Sequence, residues 1–399
     1  MILSPSHEAM LAGQRGRALQ VSMRMLVAVA RAYAADALIP AASAHVGLSL
    51  SSLGKAGVEL LESFAREGAR FAIPTTTNVL SLERDATDAT GLQMRALDAV
   101  TSMGAIANCS CNPFLQGHVP HLAQHVAWSE SATAPYLNSV LGARTNREGA
   151  TALATALTGV TTRYGMHLDS ERHAGALFEL TAPMTGLHSY HLLAAAICRH
   201  PSKGVPVITG LVTRPAPESL LGFSAAFATY STMAMFHMVG VTPEAPSLEA
   251  LYPAGAPAAI PIDAAVLEAE LIGMRACAPA EAQLVVIGCP HASLAQLCDI
   301  SLVMGASHVA RGRQLLVHTN RDVLAAAAQA GVLAALRTAG VRVTVDTCAY
   351  VGLSAYAAGT TLVTDSSKMA FLMASRGLRT AVASTQDCVL AALEPATRS

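Results

Sequence analysis

The chain has 399 residues, 52% apolar and 13% charged, with 26 Lys plus Arg against 27 Asp plus Glu for a net charge of −1. That length exceeds what one hydrophobic core organises, and so little charge leaves much interior and little charged surface, so two or three lobes and a subunit interface are expected. The even charge balance, with no basic block, excludes nucleic acid as the main partner.

The N-terminal "MILSPSHEAMLAGQRGRA" lacks the basic start and apolar run of a secretory signal, so a cytoplasmic location is expected. In that compartment the eight cysteines stay reduced, and disulfides are not expected. "GQRGRA" is not a dinucleotide fingerprint, and the chain carries neither a P-loop nor a G-x-S-x-G elbow. "GRALQVSMRMLVAVARAY" spaces its apolar residues by three and four, which predicts a helix. "ADALIPAASAHV", "ARFAIPTTTNV" and "GAIANCSCNP" read as strands running into polar loops that carry Thr76, Asn78 and Cys111.

"HVPHLAQH" places His118, His121 and His125 at offsets of three and four, where a helix would align them on one face for zinc. Pro120 within the motif and the lack of a nearby carboxylate argue against that site. The segment 127–149, "AWSESATAPYLNSVLGARTNREG", holds the sole tryptophan, Trp128, then Ser129, Glu130, Asn138, Ser139, Arg144, Asn146 and Arg147. Two arginines in a loop with Gly and Asn suit carboxylate or phosphate recognition, because guanidinium forms paired hydrogen bonds; a capped surface loop is the alternative. "YGMHLD" adds His167, and "FHMVGVTPEA" puts His237 on a strand and Glu244 in a turn. A composition change at 213–220, "TRPAPESL", suggests lobes 1–212 and 213–399. The uncharged stretch 219–241 is long enough to suggest a membrane span, but its scattered Ser, Thr, Gly and His predict a buried helix running into a strand.

The C-terminal third alternates strands at 283–288, 313–319, 341–347, 360–365 and 379–385 with helical stretches, which predicts an α/β fold of layered, mostly parallel sheets flanked by helices. Ligands gather beyond the carboxyl ends of such strands. Those ends deliver Cys289 after "VVIG", Cys348 after "TVDT", and Ser366 and Lys368 after "LVTD"; Cys111 closes an earlier strand. Each thiol alone reads as a small buried hydrophobe, but three at strand ends equally read as metal ligands. Three thiolates would leave one position of an iron cluster open as a Lewis acid.

The strings "ARFAIPTTTNV", "CNPFLQGHVP", "AWSES", "NSVLGARTNREG", "YGMHLD", "FHMVGVTPEAP", "IGCPHASL", "DTC" and "TDSSKMA" occur in the order seen in the aconitase X family. The chain resembles that family from "GRALQVSMRMLV" to its end. The resemblance implies an aconitase-like multi-lobe architecture and an iron–sulfur hydro-lyase. Its cluster cysteines correspond to Cys111, Cys289 and Cys348 here. It further implies dehydration of cis-3-hydroxy-L-proline to Δ1-pyrroline-2-carboxylate, as in bacterial members, or of mevalonate 5-phosphate, as in archaeal ones. The family's small swivelling domain, which carries a serine base in the wider superfamily, is not found in these residues. A catalytic large subunit is therefore expected, working in a heterodimer with a swivelling small subunit. Arg144 and Arg147 are expected at the substrate carboxylate, with Thr76, Asn138, Ser139, Asn146 and Ser366 lining the pocket and Ser129, Glu130, His167 and Lys368 handling protons. The sequence departs from the family at "SCNPF" and at "ATAPYL", which bears on substrate identity. A non-catalytic two-lobed small-molecule binding protein is the reading of another class.

Overall fold

The computed structural model describes residues 1–87, 90–201, 203–352 and 356–393. It is a mixed α/β structure of several sheets, mostly parallel and flanked by helices. The strands in chain order are β1 (Leu38–Pro40), β2 (Ser43–Val46), β3 (Thr75–Thr77), β4 (Val126–Trp128), β5 (Val160–Thr162), β6 (Ala174–Leu180) and β7 (Val205–Thr209). There follow β8 (His237–Met238), β9 (Ile260–Ile262), β10 (Leu284–Ala292), β11 (Gln314–Thr319), β12 (Arg342–Thr344), β13 (Thr361–Thr364) and β14 (Arg379–Val382). Met1–Phe178, Ser202–Leu211 and Met233–Ile260 form one compact unit; Glu179–Pro201, Val212–Thr232 and Pro261–Ser399 form a second. The boundary expected at 212/213 lies one residue from the crossing at Leu211/Val212, but the chain also crosses at four other places. These crossings arise because consecutive segments pair with partners far along the sequence, which composition does not reveal.

In the first unit β2 lies between β3 and β4, parallel to both. The register places His45 beside Thr76 on one side and Trp128 on the other. Side chains alternate across a strand, so these three share a face. The opposite face presents Ala44, Val46 and Ala127 to Ala152 and Ala156 of the helix Thr151–Thr158. The strand expected over "GAIANCSCNP" is reduced to a single bridge between Ile106 and Thr76. Cys109 there adopts φ 49°, a left-handed conformation that ends extension, and its N–H donates to Thr77 Oγ1 at 3.1 Å. Cys109 and Cys111 are therefore not on one extended strand.

The second unit is built on the parallel order β12-β11-β10-β13-β14. Its strands are apolar runs because both faces are covered. Val285, Ile287, Leu315, Val317 and Val363 pack on one side with Leu297, Ile300, Leu336 and Val389. Leu284, Val286, Leu316 and Leu362 pack on the other with Met369 and Met373. Strand order reverses between β10 and β13, which makes a crevice at their carboxyl ends. The helix expected over 321–340 is two, Arg321–Gln329 and Val332–Thr338, separated at Gly331, whose φ of 75° suits only a residue without a side chain. The uncharged stretch forms the helix Pro217–Tyr230 and, after a break, β8, as read from its composition. Among the described residues no helix is long and apolar enough to cross a membrane.

At the end of β10, Gly288 has φ +97°, and a Cβ there would stand 2.1 Å from the His318 carbonyl oxygen. Neither backbone can move without breaking the β10–β11 pairing. Gly288→Ala should therefore destabilise the chain by about 2 kcal/mol or more, read from denaturant midpoints at unchanged slope.

Candidate active site

At the carboxyl edge of the three-stranded sheet, Thr76 Oγ1 sits between two imidazoles, 2.9 Å from His45 Nδ1 and 2.7 Å from His118 Nδ1. His118 Nε2 continues to Ser43 Oγ at 2.8 Å. Burial pushes the His45 pKa down to about 3 and that of His118 to about 4, so both rings are neutral at pH 7. His45 Nε2 is buried without a hydrogen-bond partner. The rings of His45 and His118 lie 4.7 Å and 5.1 Å from that of Trp128. Trp128 Nε1 donates to Thr133 Oγ1 at 2.8 Å, and Thr133 donates in turn to the Cys111 carbonyl at 3.2 Å. The single tryptophan thus props the loop that carries Cys111.

Beyond β3 and β4, Glu130 accepts from Asn78 Nδ2 at 2.7 Å and from the Ala132 N–H at 3.0 Å, which orients both carboxylate oxygens. Arg147 is half-buried; desolvation lowers its pKa, and the Glu130 charge opposes that shift. Ser129 Oγ donates to the His45 carbonyl at 2.8 Å and accepts from the Gly47 N–H at 3.1 Å.

Several residues read as substrate-binding have internal partners instead. Asn138 donates to the carbonyls of Thr145 and Ala234, both at 2.8 Å, and accepts from the Thr145 N–H and from Arg172. Ser139 Oγ accepts from the Phe236 N–H at 2.8 Å. Asn146 bridges the Tyr164 carbonyl and the Met166 N–H. Arg144 pairs with Asp169 and donates to the His167 carbonyl at 3.2 Å. These side chains hold the 138–169 loops in shape. His167 is 3% exposed, with Nδ1 3.0 Å from His125 Nδ1 and Nε2 3.7 Å from Glu148 Oε1. The histidines of "HVPHLAQH" do not share a helix: the segment is loop and turn that follows a 3₁₀ turn at Pro113–Gln116, and His118 and His125 point to different partners. Arg172, unremarked in the sequence, is 4% exposed and paired with Glu244, with Nε 3.0 Å from Oε2.

At the carboxyl edge of the five-stranded sheet, Cys289 leaves β10 and Cys348 follows the turn after β12; both are half-buried. His291 Nε2 lies 2.9 Å from the Thr347 carbonyl oxygen, which ties these two loops together. Cys289 packs in the same apolar cluster as Ala349 and Tyr350. Burial holds the neighbouring His318 near a pKa of about 3. Ser366 caps the helix Ser367–Ala374 by accepting from the Met369 N–H at 3.3 Å, and Lys368 stands half-buried in its first turn. Asp365, just past β13, is 2% exposed; burial raises its pKa to about 6 despite a hydrogen bond donated by Thr385 Oγ1 at 2.8 Å. A small cavity of about 10 Å³, enough for about one water, is lined by Cys289, Asp365 and His191. Asp365 was legible as an acid ending a strand in "TDSSKMA"; nothing in the sequence pointed to His191 or Arg172.

Thiols are the donor type an iron group takes, and they occur in both units: Cys111 in the first, Cys289 and Cys348 in the second. Cys111, Cys289 and Cys348 are thiols, and all eight cysteines lack disulfides. Beside Cys348 and β11, His318 Nε2, Asn320 Nδ2 and Thr347 Oγ1 are buried polar atoms without a hydrogen-bond partner. Among the described residues, no three His, Cys, Asp or Glu side chains gather closely enough to form a metal site by themselves.

Parallel sheets with thiols, carboxylates and neutral imidazoles at their carboxyl edges are the setting of an α/β enzyme site. Models of the aconitase X first, second and third domains match residues 1–170, 174–271 and 282–394. The chain is 34% identical to the phosphomevalonate dehydratase large subunit of Methanothermobacter thermautotrophicus, over 88% of each chain. It is 32% identical to the cis-3-hydroxy-L-proline dehydratase of Pseudomonas aeruginosa over 86% of this chain and 60% of that longer protein. The crystal structure of Thermococcus kodakaraensis aconitase X in its holo-form superposes with a TM-score of 0.87 at 30% identity, covering 98% of this chain and 99% of that one. The chain belongs to the aconitase X family and is a hydro-lyase.

The depressed histidine pKa values set a pH dependence. In the unfolded chain these rings bind protons as pH falls below about 6.5, whereas the native chain excludes them until near their lowered values. Stability is therefore lost from about pH 6.5 downward. For His118, with its native value of about 4, the expected contribution to the slope is up to about 1.4 kcal/mol per pH unit between the two values. His118→Gln should flatten the stability profile between about pH 4 and 6.5 relative to wild type, read by urea titration at a series of pH values.

Proposed function

We propose that this chain is the larger of two subunits of an iron–sulfur dehydratase that converts cis-3-hydroxy-L-proline to Δ1-pyrroline-2-carboxylate, with Cys111, Cys289 and Cys348 as the cluster ligands. The observation that carries the reading is the pair of thiols on the β10 and β12 exits of one parallel sheet, tied by His291 and Thr347. When bound, such a group supplies a Lewis acid for the departing hydroxyl.

The chain's own residues supply substrate binding and part of the proton handling. Water is eliminated as the proton on C2 and the hydroxyl on C3 leave, and the resulting enamine tautomerises to the imine. Glu130, with both oxygens oriented by Asn78 and Ala132, is an acceptor suited to proton handling, and Ser129 stands beside it in the chain. Arg147, partly desolvated next to Glu130, is suited to the substrate carboxylate, since desolvation strengthens a paired guanidinium–carboxylate contact. Lys368 and Ser366 would line the pocket from the β13 exit. A swivelling small subunit, taken here as the partner, would bring the base that removes the C2 proton. Relatives named as large subunits support that two-chain arrangement.

Mevalonate 5-phosphate is the second reading, favoured by the nearly full-length match to phosphomevalonate dehydratase large subunits. Arg144, which pairs with Asp169, Arg147 and Lys368 are the cations among the proposed site residues, few for a phosphate ester. The chain reconstituted anaerobically with iron, sulfide and its partner should turn over cis-3-hydroxy-L-proline and not mevalonate 5-phosphate in parallel assays. The opposite preference would replace the substrate assignment while keeping the chemistry. Cys111→Ser, Cys289→Ser and Cys348→Ser should each lower bound iron and cut turnover by about two orders of magnitude or more. Iron content and turnover unaffected by all three would overturn the dehydratase mechanism and favour a binding protein.

A further inference from the structure

The second unit holds a cavity of about 600 Å³ on the side of the sheet opposite Cys289 and Cys348. Its wall includes Thr380, at the start of β14, whose carbonyl accepts from the Ala276 N–H. Cys289 lies in the last part of β10, and Cys348 and Ser366 follow β12 and β13, at the opposite edge. The space exists because three small residues face it: Ala195 near the end of the helix Leu187–Cys198, and Ala370 and Ala374 on the helix Ser367–Ala374. Small-molecule sites occupy roughly 300–1,000 Å³.

Its chemistry is specific. Tyr230 and Phe371 meet edge to face, with centroids 5.6 Å apart, and offer an aromatic wall with Met274 alongside. Glu270, only 5% exposed, is neutralised by Arg199, with Nη2 2.9 Å from Oε2. Arg275 also lines the cavity; it is exposed and makes no ion pair among the described residues. With the Arg199–Glu270 pair closed, the uncompensated charge at this cavity is one positive charge beside an apolar floor. We propose that the cavity is a binding site for a small amphipathic carboxylate: an aromatic or branched body against Tyr230, Met274 and Phe371, and an acid group on Arg275. A neutral ligand would leave that charge unused, and a polyanion would meet Glu270.

This proposal does not depend on the iron–sulfur reading, and its test needs no turnover. Hydrocinnamate is titrated calorimetrically into the full-length chain, with hydrocinnamyl alcohol as the neutral comparison. The acid should bind at one site per chain and more tightly than the alcohol. Ala374→Phe fills the space and should weaken binding by about tenfold or more. Arg275→Glu, at an exposed position that leaves the fold intact, should weaken the acid by about threefold or more and leave the alcohol unchanged. Cys348→Ser, at the opposite sheet edge, should bind the acid as wild type does. Absence of binding at millimolar acid, or binding indifferent to both Ala374→Phe and Arg275→Glu, would overturn the proposal. So would binding lost in Cys348→Ser, which would place the acid at the catalytic edge instead.

Discussion

A missing side chain sets the position of the catalytic edge in the second unit. Gly288 passes so close to the His318 carbonyl that no Cβ fits between them. This close passage lets β10 leave its pairing with β11 at Ile287, and the register resumes only at Ala292. The residues in between, Cys289 to His291, are thereby released from the ladder. They face the crevice where strand order reverses, instead of being sealed in the sheet. The hydrogen bond from this stretch to Thr347 then fixes the loop that carries Cys348. One backbone contact thus sets the position of both thiols.

In the first unit the corresponding constraint is desolvation. His45, Thr76 and Trp128 share one row of a parallel sheet and have almost no contact with water. An imidazolium there would lack solvation, and the nearby Glu130 charge does not offset that loss, so the rings stay neutral and act through a fixed pattern of donors and acceptors. Such a pattern is rigid: each ring orientation is set by its hydroxyl partner, and the Trp128–Thr133 contact passes that rigidity to the Cys111 backbone. Buried polar groups of this kind stabilise a site only when nearly all are satisfied. Among those that are not, Thr155 Oγ1 and His237 Nδ1 lie elsewhere in the fold, while His45 Nε2, His318 Nε2 and Asn320 Nδ2 lie at the two carboxyl edges. Polar atoms left unsatisfied there suit a place that receives a ligand.

The loops from 138 to 169 show why residue type is a weaker guide than position. Asn and Arg in a Gly-containing loop carry the hydrogen-bonding capacity of a binding site. They carry equally the capacity to satisfy backbone groups that an irregular loop leaves open. Here Asn138, Ser139, Asn146 and Arg144 do the second task. Arg172, buried against Glu244, anchors the same loops from a stretch with no motif around it. Glu130 is carried past the end of β4 by the turn after it, and Arg147 is brought back to β4 where the Glu148 N–H donates to the Trp128 carbonyl.

The order of strands and helices in the C-terminal third, the parallel pairing and the place of Cys289 and Cys348 at the carboxyl edge of that sheet were legible in the sequence alone; the strand read before Cys111 was not formed. Apolar runs of strand length, separated by helical periods, admit few other folds. The family strings likewise lie in the linear chain. Only the tertiary structure decided which polar side chains meet: that Thr76 sits between two imidazoles, that Arg144 is claimed by Asp169, that Cys109 turns left-handed, and that the first unit gathers three separate segments. Hydrophobic periodicity is local and is written residue by residue. A hydrogen bond between residues dozens of positions apart depends on strand register and backbone turns, which exist only once the chain has packed.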